Sequence, residues 1–123
     1  MITVIVTGGR DFTDADMMLD TLAEVERRYG GVSLIVQGGA PGADTIAATL
    51  ARMCGISYLT YRADWDEHEK AAGPIRNEKM LNAHPDAIVV AMPGGRGTAD
   101  CVRRAQRKGM TVVRPKGYDD SWG

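Results

Sequence analysis

The sequence predicts an α/β protein, a Rossmann-like three-layer sandwich built on a parallel five-stranded sheet in the order 3-2-1-4-5. Three observations lead there. Short apolar runs alternate with helical stretches along nearly all of the 123 residues, the pattern of βα units joined by right-handed crossovers. The runs are rich in β-branched residues and lack polar alternation, which suits strands buried on both faces. Three glycine-rich turns, each between an apolar run and a helix start, fall where such folds keep their binding loops.

The elements follow in order. Ile2 to Thr7 is the first strand, and Thr13 or Asp14 can cap the helix after it. In that helix Met18, Leu22, Val25 and Tyr29 recur at helical spacing, and Gly30-Gly31 ends it. Ser33 to Gln37 is the second strand. Ile46, Leu50 and Met53 mark the buried stripe of the second helix, with Gly55 as its stop. Ile56 to Tyr61 is the third strand, and Arg62 to Gly73 breaks the rhythm as a polar segment without clear periodicity. Pro74 suits the first turn of a third helix running to about Ala83. Asp86 to Ala91 gives the fourth strand, Thr98 to Lys108 the fourth helix and Met110 to Arg114 the fifth strand. Residues 1–115 are therefore expected to form one domain, with 116–123 as a short polar tail.

Composition narrows the function classes. A formal net charge of −1 supplies no global field to draw the chain onto DNA or an anionic membrane. Cys54 and Cys101 form no disulfide framework or metal-spacing motif, and both fall in expected helices. No metal or cofactor motif is present. No apolar stretch is long enough to cross a bilayer and no basic-apolar leader opens the chain, so a soluble, cytoplasmic protein is expected.

The three turns are Gly8-Gly9-Arg10-Asp11, Gly38-Gly39-Ala40-Pro41-Gly42-Ala43-Asp44 and Pro93-Gly94-Gly95-Arg96-Gly97-Thr98. Bare backbone followed by a helix N-terminus offers unpaired amides and the positive end of a helix dipole, a setting for phosphate. With strands one and four adjacent, the first and third turns flank the switch point and the second lies beside them, giving one composite site. The spacing matches neither G-x-G-x-x-G nor G-x-x-x-x-G-K-[ST], which argues against conventional dehydrogenases and P-loop ATPases. Arg10 can meet a phosphate and Asp11 a ribose, or Asp11 simply stabilises the turn. Gly38, Gly39 and Gly42 can bring amides to a ligand, while Asp44 is either a ligand contact or a charge complementing the dipole. In the third turn Gly94, Gly95 and Gly97 leave a concave set of donors, with Thr98 as the expected helix cap.

In the irregular segment, Asp64, Trp65, Asp66, His68 and Lys70 are polar or aromatic residues where lids often reside. Trp65 can stack on a base or simply pack, and a lone His68 is weak evidence for acid–base work. Arg76 and Asn77 are better ligand candidates, set against a solvated helix face. The run Arg103, Arg104, Arg107 and Lys108 is explained largely by a helix C-terminus, and without aromatic interleaving it argues little for nucleic acid.

These motifs resemble the YspA-type, cpYpsA-related members of the SLOG superfamily. The resemblance rests on Val6 to Phe12, Gly38 to Asp44, Ala63-Asp64-Trp65, Ala71 to Asn77, and Pro93 through Asp100. It implies a Rossmann-like fold and a nucleotide or nucleotide-derived ligand; the superfamily includes the LOG phosphoribohydrolases and the DNA-processing protein DprA. The LOG pattern P-G-G-x-G-T-x-x-E falls on Pro93 to Cys101, so Cys101 stands where that pattern has its catalytic glutamate and Asp100 is one position earlier. The pattern R-K-x-x-M falls on Arg76 to Met80, keeping the arginine and methionine but losing the lysine. One residue along a helix is a rotation of about 100°, so Asp100 is not a simple replacement.

The expected function is therefore binding of a nucleotide or nucleotide-derived molecule by a sensor or sequestering protein. The alternative is a LOG-like hydrolase of the N-glycosidic bond in a nucleoside monophosphate, with Asp100 and Arg76 as its catalytic residues. A DprA-like DNA binder comes third, disfavoured by the charge. A homodimer is an expectation that the LOG resemblance brings.

Overall fold

The expected alternation of strands and helices builds one parallel sheet covered by helices in the computed structural model, which describes residues 1–118; the outer part of the expected tail, 119–123, lies outside the described residues. Strand β1 (Ile2–Thr7) is central, pairing in parallel with β2 (Val32–Gln37) and with β4 (Ile88–Ala91). β2 pairs with β3 (Ser57–Thr60), and β4 with β5 (Val112–Val113), so the order is β3-β2-β1-β4-β5, as the sequence predicts. The connections leave the same sheet edge after each strand, and the order reverses between β1 and β4.

Val4, Ile5 and Val6 are fully buried because helices cover both faces. The two-residue side-chain period of a strand divides them. Val4 and Val6 join Met18, Leu22 and Val25 of α1 (Ala15–Tyr29) and the alanines of α2 (Ala43–Met53). Ile5 faces the other layer, with Met80 and Leu81 of α4 (Ala72–Ala83) and Cys101 and Ala105 of α5 (Arg96–Arg107). Of the two cap candidates it is Asp14 that serves α1, accepting from the Met17 amide at 3.0 Å.

Several expectations need correction. In α2 the buried stripe is Ala43, Ala47 and Ala51, while Ile46 and Leu50 are only partly buried and Met53 is 77% exposed. Small side chains let the helix lie close on the sheet, and the larger residues are left at its margins. Cys54 caps that helix and is exposed, whereas Cys101 lies inside α5 and is buried. Three strands are shorter than expected, β3 lacking Ile56 and Tyr61, β4 lacking Asp86 and Ala87 and β5 lacking Met110, Thr111 and Arg114, while β2 gains Val32. The polar segment is not irregular throughout. Asp64 accepts from the Glu67 amide and starts a short helix, α3 (Trp65–His68), followed by a 3-10 turn at Glu69–Ala71. Finally α5 starts at Arg96 with Gly95 as its cap position, so Thr98 is a buried residue of the first turn and not the cap.

Candidate functional site

The three glycine turns close on one another at the carboxyl edge of the sheet. The Gly9 amide donates to the Pro93 carbonyl at 2.8 Å, and the Gly9 carbonyl accepts from the Ala43 amide at 3.1 Å. Gly42 adopts φ +81°, and a Cβ there would overlap the carbonyl oxygens of Gly9 and Arg10. Only glycine serves at a left-handed position pressed against another backbone. The first turn is thus clamped between the other two. Beside this seam opens a cleft of 1010 Å³, lined by Thr7 to Phe12, Ala40, Asp44, Trp65, Lys70, Gly73, Pro74, Arg76, Asn77, Pro93 to Thr98, Asp100 and Arg103.

Of the second turn, only Ala40 and Asp44 line that cleft; Gly38, Gly39 and Gly42 do not. Their amides are not offered to a ligand as the sequence suggests. The Gly38 and Ala40 amides each donate to Asp44 Oδ2 at 3.2 Å, and the Gly39 amide donates to Gln37 Oε1. Asp44 is therefore the organiser of its own loop. Burial pushes its carboxyl above the ordinary carboxylate range, opposed by those amides and by the charges of Arg76 and Arg10.

Arg76 is held as firmly. Its Nη1 donates to the Gly38 carbonyl at 2.7 Å and to the Tyr61 carbonyl at 3.4 Å, and its Nε donates to Asn77 Oδ1 at 2.9 Å. A side chain on Gly38 would overlap that guanidinium. Asn77 is 3% exposed, so it belongs to the buried framework and not to a solvated helix face. Its Nδ2 donates to Asp100 Oδ2 at 3.0 Å and to the Gly97 carbonyl at 3.3 Å. Asp100 accepts in turn from Arg104 Nε, at 3.1 and 2.9 Å to its two oxygens. Arg104 continues to Glu78, and Glu78 to Lys108. A polar chain thus runs from the second turn across α4 and along α5.

The third turn differs in kind. A Cβ on Gly94 would overlap Thr98 Oγ1 and come within 2.7 Å of the Gly9 amide, so that glycine is needed for packing. Gly95 and Gly97 are exposed and have nothing within 4 Å of a built Cβ. No side chain caps α5. Its first amides lack intrahelical acceptors, as at every helix start, and this start opens into the cleft. Cys101 is not in the cleft: it packs in the core, where burial pushes its thiol up to about 12 despite a bond with Thr7.

Trp65 and Lys70 of the polar segment line the cleft, the former 52% exposed with its ring edge over Gly73. His68 does not, and its neighbour is Glu67 at 3.7 Å. Thr7, Phe12, Gly73, Pro74 and Arg103 also line the cleft, and the sequence does not single them out as ligand contacts. Arg103 was discoverable, since Arg96, Asp100 and Arg103 share one face at helical spacing. Among the described residues no group of three or more His, Cys, Asp or Glu is placed to hold a metal ion, and no helix is long and apolar enough to cross a membrane.

Comparison with known proteins agrees with this architecture. A sequence family described as the YspA, cpYpsA-related SLOG family matches residues 2–68, which include the first two glycine turns but not the third. The Gene 61 protein of Mycobacterium phage D29 is 39% identical over 120 residues, covering 92% of this chain and 95% of that protein. Among solved structures, TM1055 superposes with a TM-score of 0.65 at 22% identity, over 91% of this chain and 72% of that one. DNA processing protein A (DprA) from Streptococcus pneumoniae gives a TM-score of 0.75 at 18% identity, over 99% of this chain and 53% of its own, so this chain spans about half of DprA. At such identities the two structures show a shared fold.

Proposed function

The chain belongs to the YspA, cpYpsA-related SLOG family, and we propose from that premise that its cleft binds a nucleotide or nucleotide-derived small molecule without hydrolysing it. One observation carries the reading: the uncapped N-terminus of α5 opens into the cleft between Gly95 and Gly97, which project no side chain over it. Amides at a helix start favour an anionic group, phosphate above all. Arg76 and Asp44 act behind this cradle by holding the second turn in place. Trp65 is at hand as a flat apolar surface for a base.

The hydrolase reading needs a carboxylate free to face positive charge developing on the sugar. Both oxygens of Asp100 are engaged by Arg104 and one also by Asn77, and Cys101 is a core residue. These engagements favour the binder. Native mass spectrometry of the protein purified from cells tests the proposal. A retained mass matching a nucleotide is expected, and it should disappear in Gly95→Val. A clean protein mass, together with no heat on titrating nucleoside phosphates, would refute it.

A further inference from the structure

The cleft is more cationic than the chain. Five of its residues, Arg10, Lys70, Arg76, Arg96 and Arg103, are cations against the carboxylates of Asp11, Asp44 and Asp100, although the formal charge of the whole chain is −1. Arg76 is bound to the carbonyls of Gly38 and Tyr61. Arg10, Lys70, Arg96 and Arg103 have exposed side chains with no ion pair or hydrogen bond among the described residues, Arg10 acting on Asp44 only through space. Cations gathered in excess around one concavity focus positive potential there, and their mutual repulsion costs free energy until an anion arrives.

Their positions say where the anion lies. Arg10 belongs to the first turn, and Arg96 to the third, where it starts α5. Arg103 is two turns further along the same face of α5, about 10 Å down the axis at the helical rise, and Lys70 comes from the 3-10 turn that also borders the cleft. A single phosphate seated at the helix start leaves Arg103 and Lys70 without a partner. The volume of 1010 Å³ also stands at the upper end for small-molecule sites.

We propose that the ligand carries at least two phosphates, one on the amides at the start of α5 and a further one answered by Arg103 and Lys70; its class is the nucleoside diphosphates and their esters. The proposal rests on the nucleotide reading above and sharpens it.

Calorimetric titration at fixed ionic strength, with nucleoside 5′-monophosphates and the matching diphosphates, separates the two. The best diphosphate should bind about tenfold or more tightly than its monophosphate, as one extra charge-assisted contact allows. Arg103→Gln, an exposed helix substitution, should erase most of that ratio while leaving monophosphate affinity within about twofold. Equal affinity for the two series in the wild-type protein would overturn the second phosphate and leave the nucleotide reading standing, as would an equal loss for both in Arg103→Gln. Absence of binding by either series would overturn both. A single-stranded oligonucleotide binding more tightly than any diphosphate would overturn the proposal in favour of nucleic acid.

Discussion

Replacing Gly95 by valine separates a ligand cradle from a mere turn. A Cβ at this position meets nothing within 4 Å, and the residue is exposed with φ −104°, outside the left-handed region. The fold loses a modest amount: ψ −139° lies outside the broad β region and valine is a poor residue at a helix N-cap, together about 1–2 kcal/mol, a shift of several degrees in melting temperature. The ligand has much to lose. Two methyl groups standing over the first amides of α5 keep a phosphate out of hydrogen-bond reach, and each charge-assisted bond forfeited is worth about 1.5–3 kcal/mol. Losing one weakens affinity about 10- to 150-fold, and losing two takes it below detection in most titrations. Gly94→Ala is the opposite control, because its Cβ would overlap Thr98 and crowd the Gly9 amide, so it should destabilise the fold itself. The measurements are a thermal melt and a calorimetric titration on each variant. A Gly95→Val protein that still unfolds cooperatively and binds the nucleotide as tightly as wild type would refute the cradle.

Arg76→Ala removes bonds to the Gly38 carbonyl and Asn77 Oδ1 and takes from Asp44 the nearer-acting of its two cations, leaving Arg10. It should cost about 1–3 kcal/mol of stability as well as ligand affinity, read by denaturant titration. A variant weakened in binding alone would show that Arg76 is a ligand contact and no brace. Because burial raises the Asp44 pKa above its ordinary value of 3.8, the folded protein holds a proton that the unfolded chain has released. Stability should therefore fall as pH rises from 3.8 through the raised value, and Asp44→Asn should remove that part of the slope in denaturant midpoints measured from acid to neutral pH. At pH 8 iodoacetamide should modify Cys54, which is exposed, and spare Cys101, whose thiol is buried and raised to about 12. Peptide mapping that finds Cys101 alkylated in the folded protein would contradict its core position.

What could be seen in advance follows from which signals are local. β1 and the glycine turns announce themselves through residue type alone, and the alternation of elements announces a parallel sheet, whose order β3-β2-β1-β4-β5 is the one a Rossmann-like fold takes. The α2 face was misjudged because hydrophobic size points to Ile46, Leu50 and Met53, whereas close approach of helix to sheet selects Ala43, Ala47 and Ala51. The second turn was judged to expose its amides; Asp44, six residues beyond Gly38, folds back to take them, and spacing does not announce such a return. Asn77 and Arg76 are adjacent polar residues on a helix, ordinarily a solvated pair. Here Asn77 is buried and Arg76 half-buried, bonded to the carbonyls of Gly97 and Gly38, which are distant in sequence. The cleft was thus legible as a place, and the partition between residues that frame it and residues that face a ligand was not.

The seam through Gly9 has a consequence for how this protein can change over time. Its amide is spoken for by Pro93 and its carbonyl by Ala43, while Gly42 presses on the same peptide from the other side. Loops usually absorb insertions and deletions without loss. Here a residue added next to Gly9, Gly42 or Pro93 strains a bond that joins two turns, so the lengths of the turns are expected to change together. Diversification is left to the side chains that project from the seam, such as Arg10 and Arg96, and to the polar segment around Trp65, where a new ligand can be accommodated without re-threading the backbone.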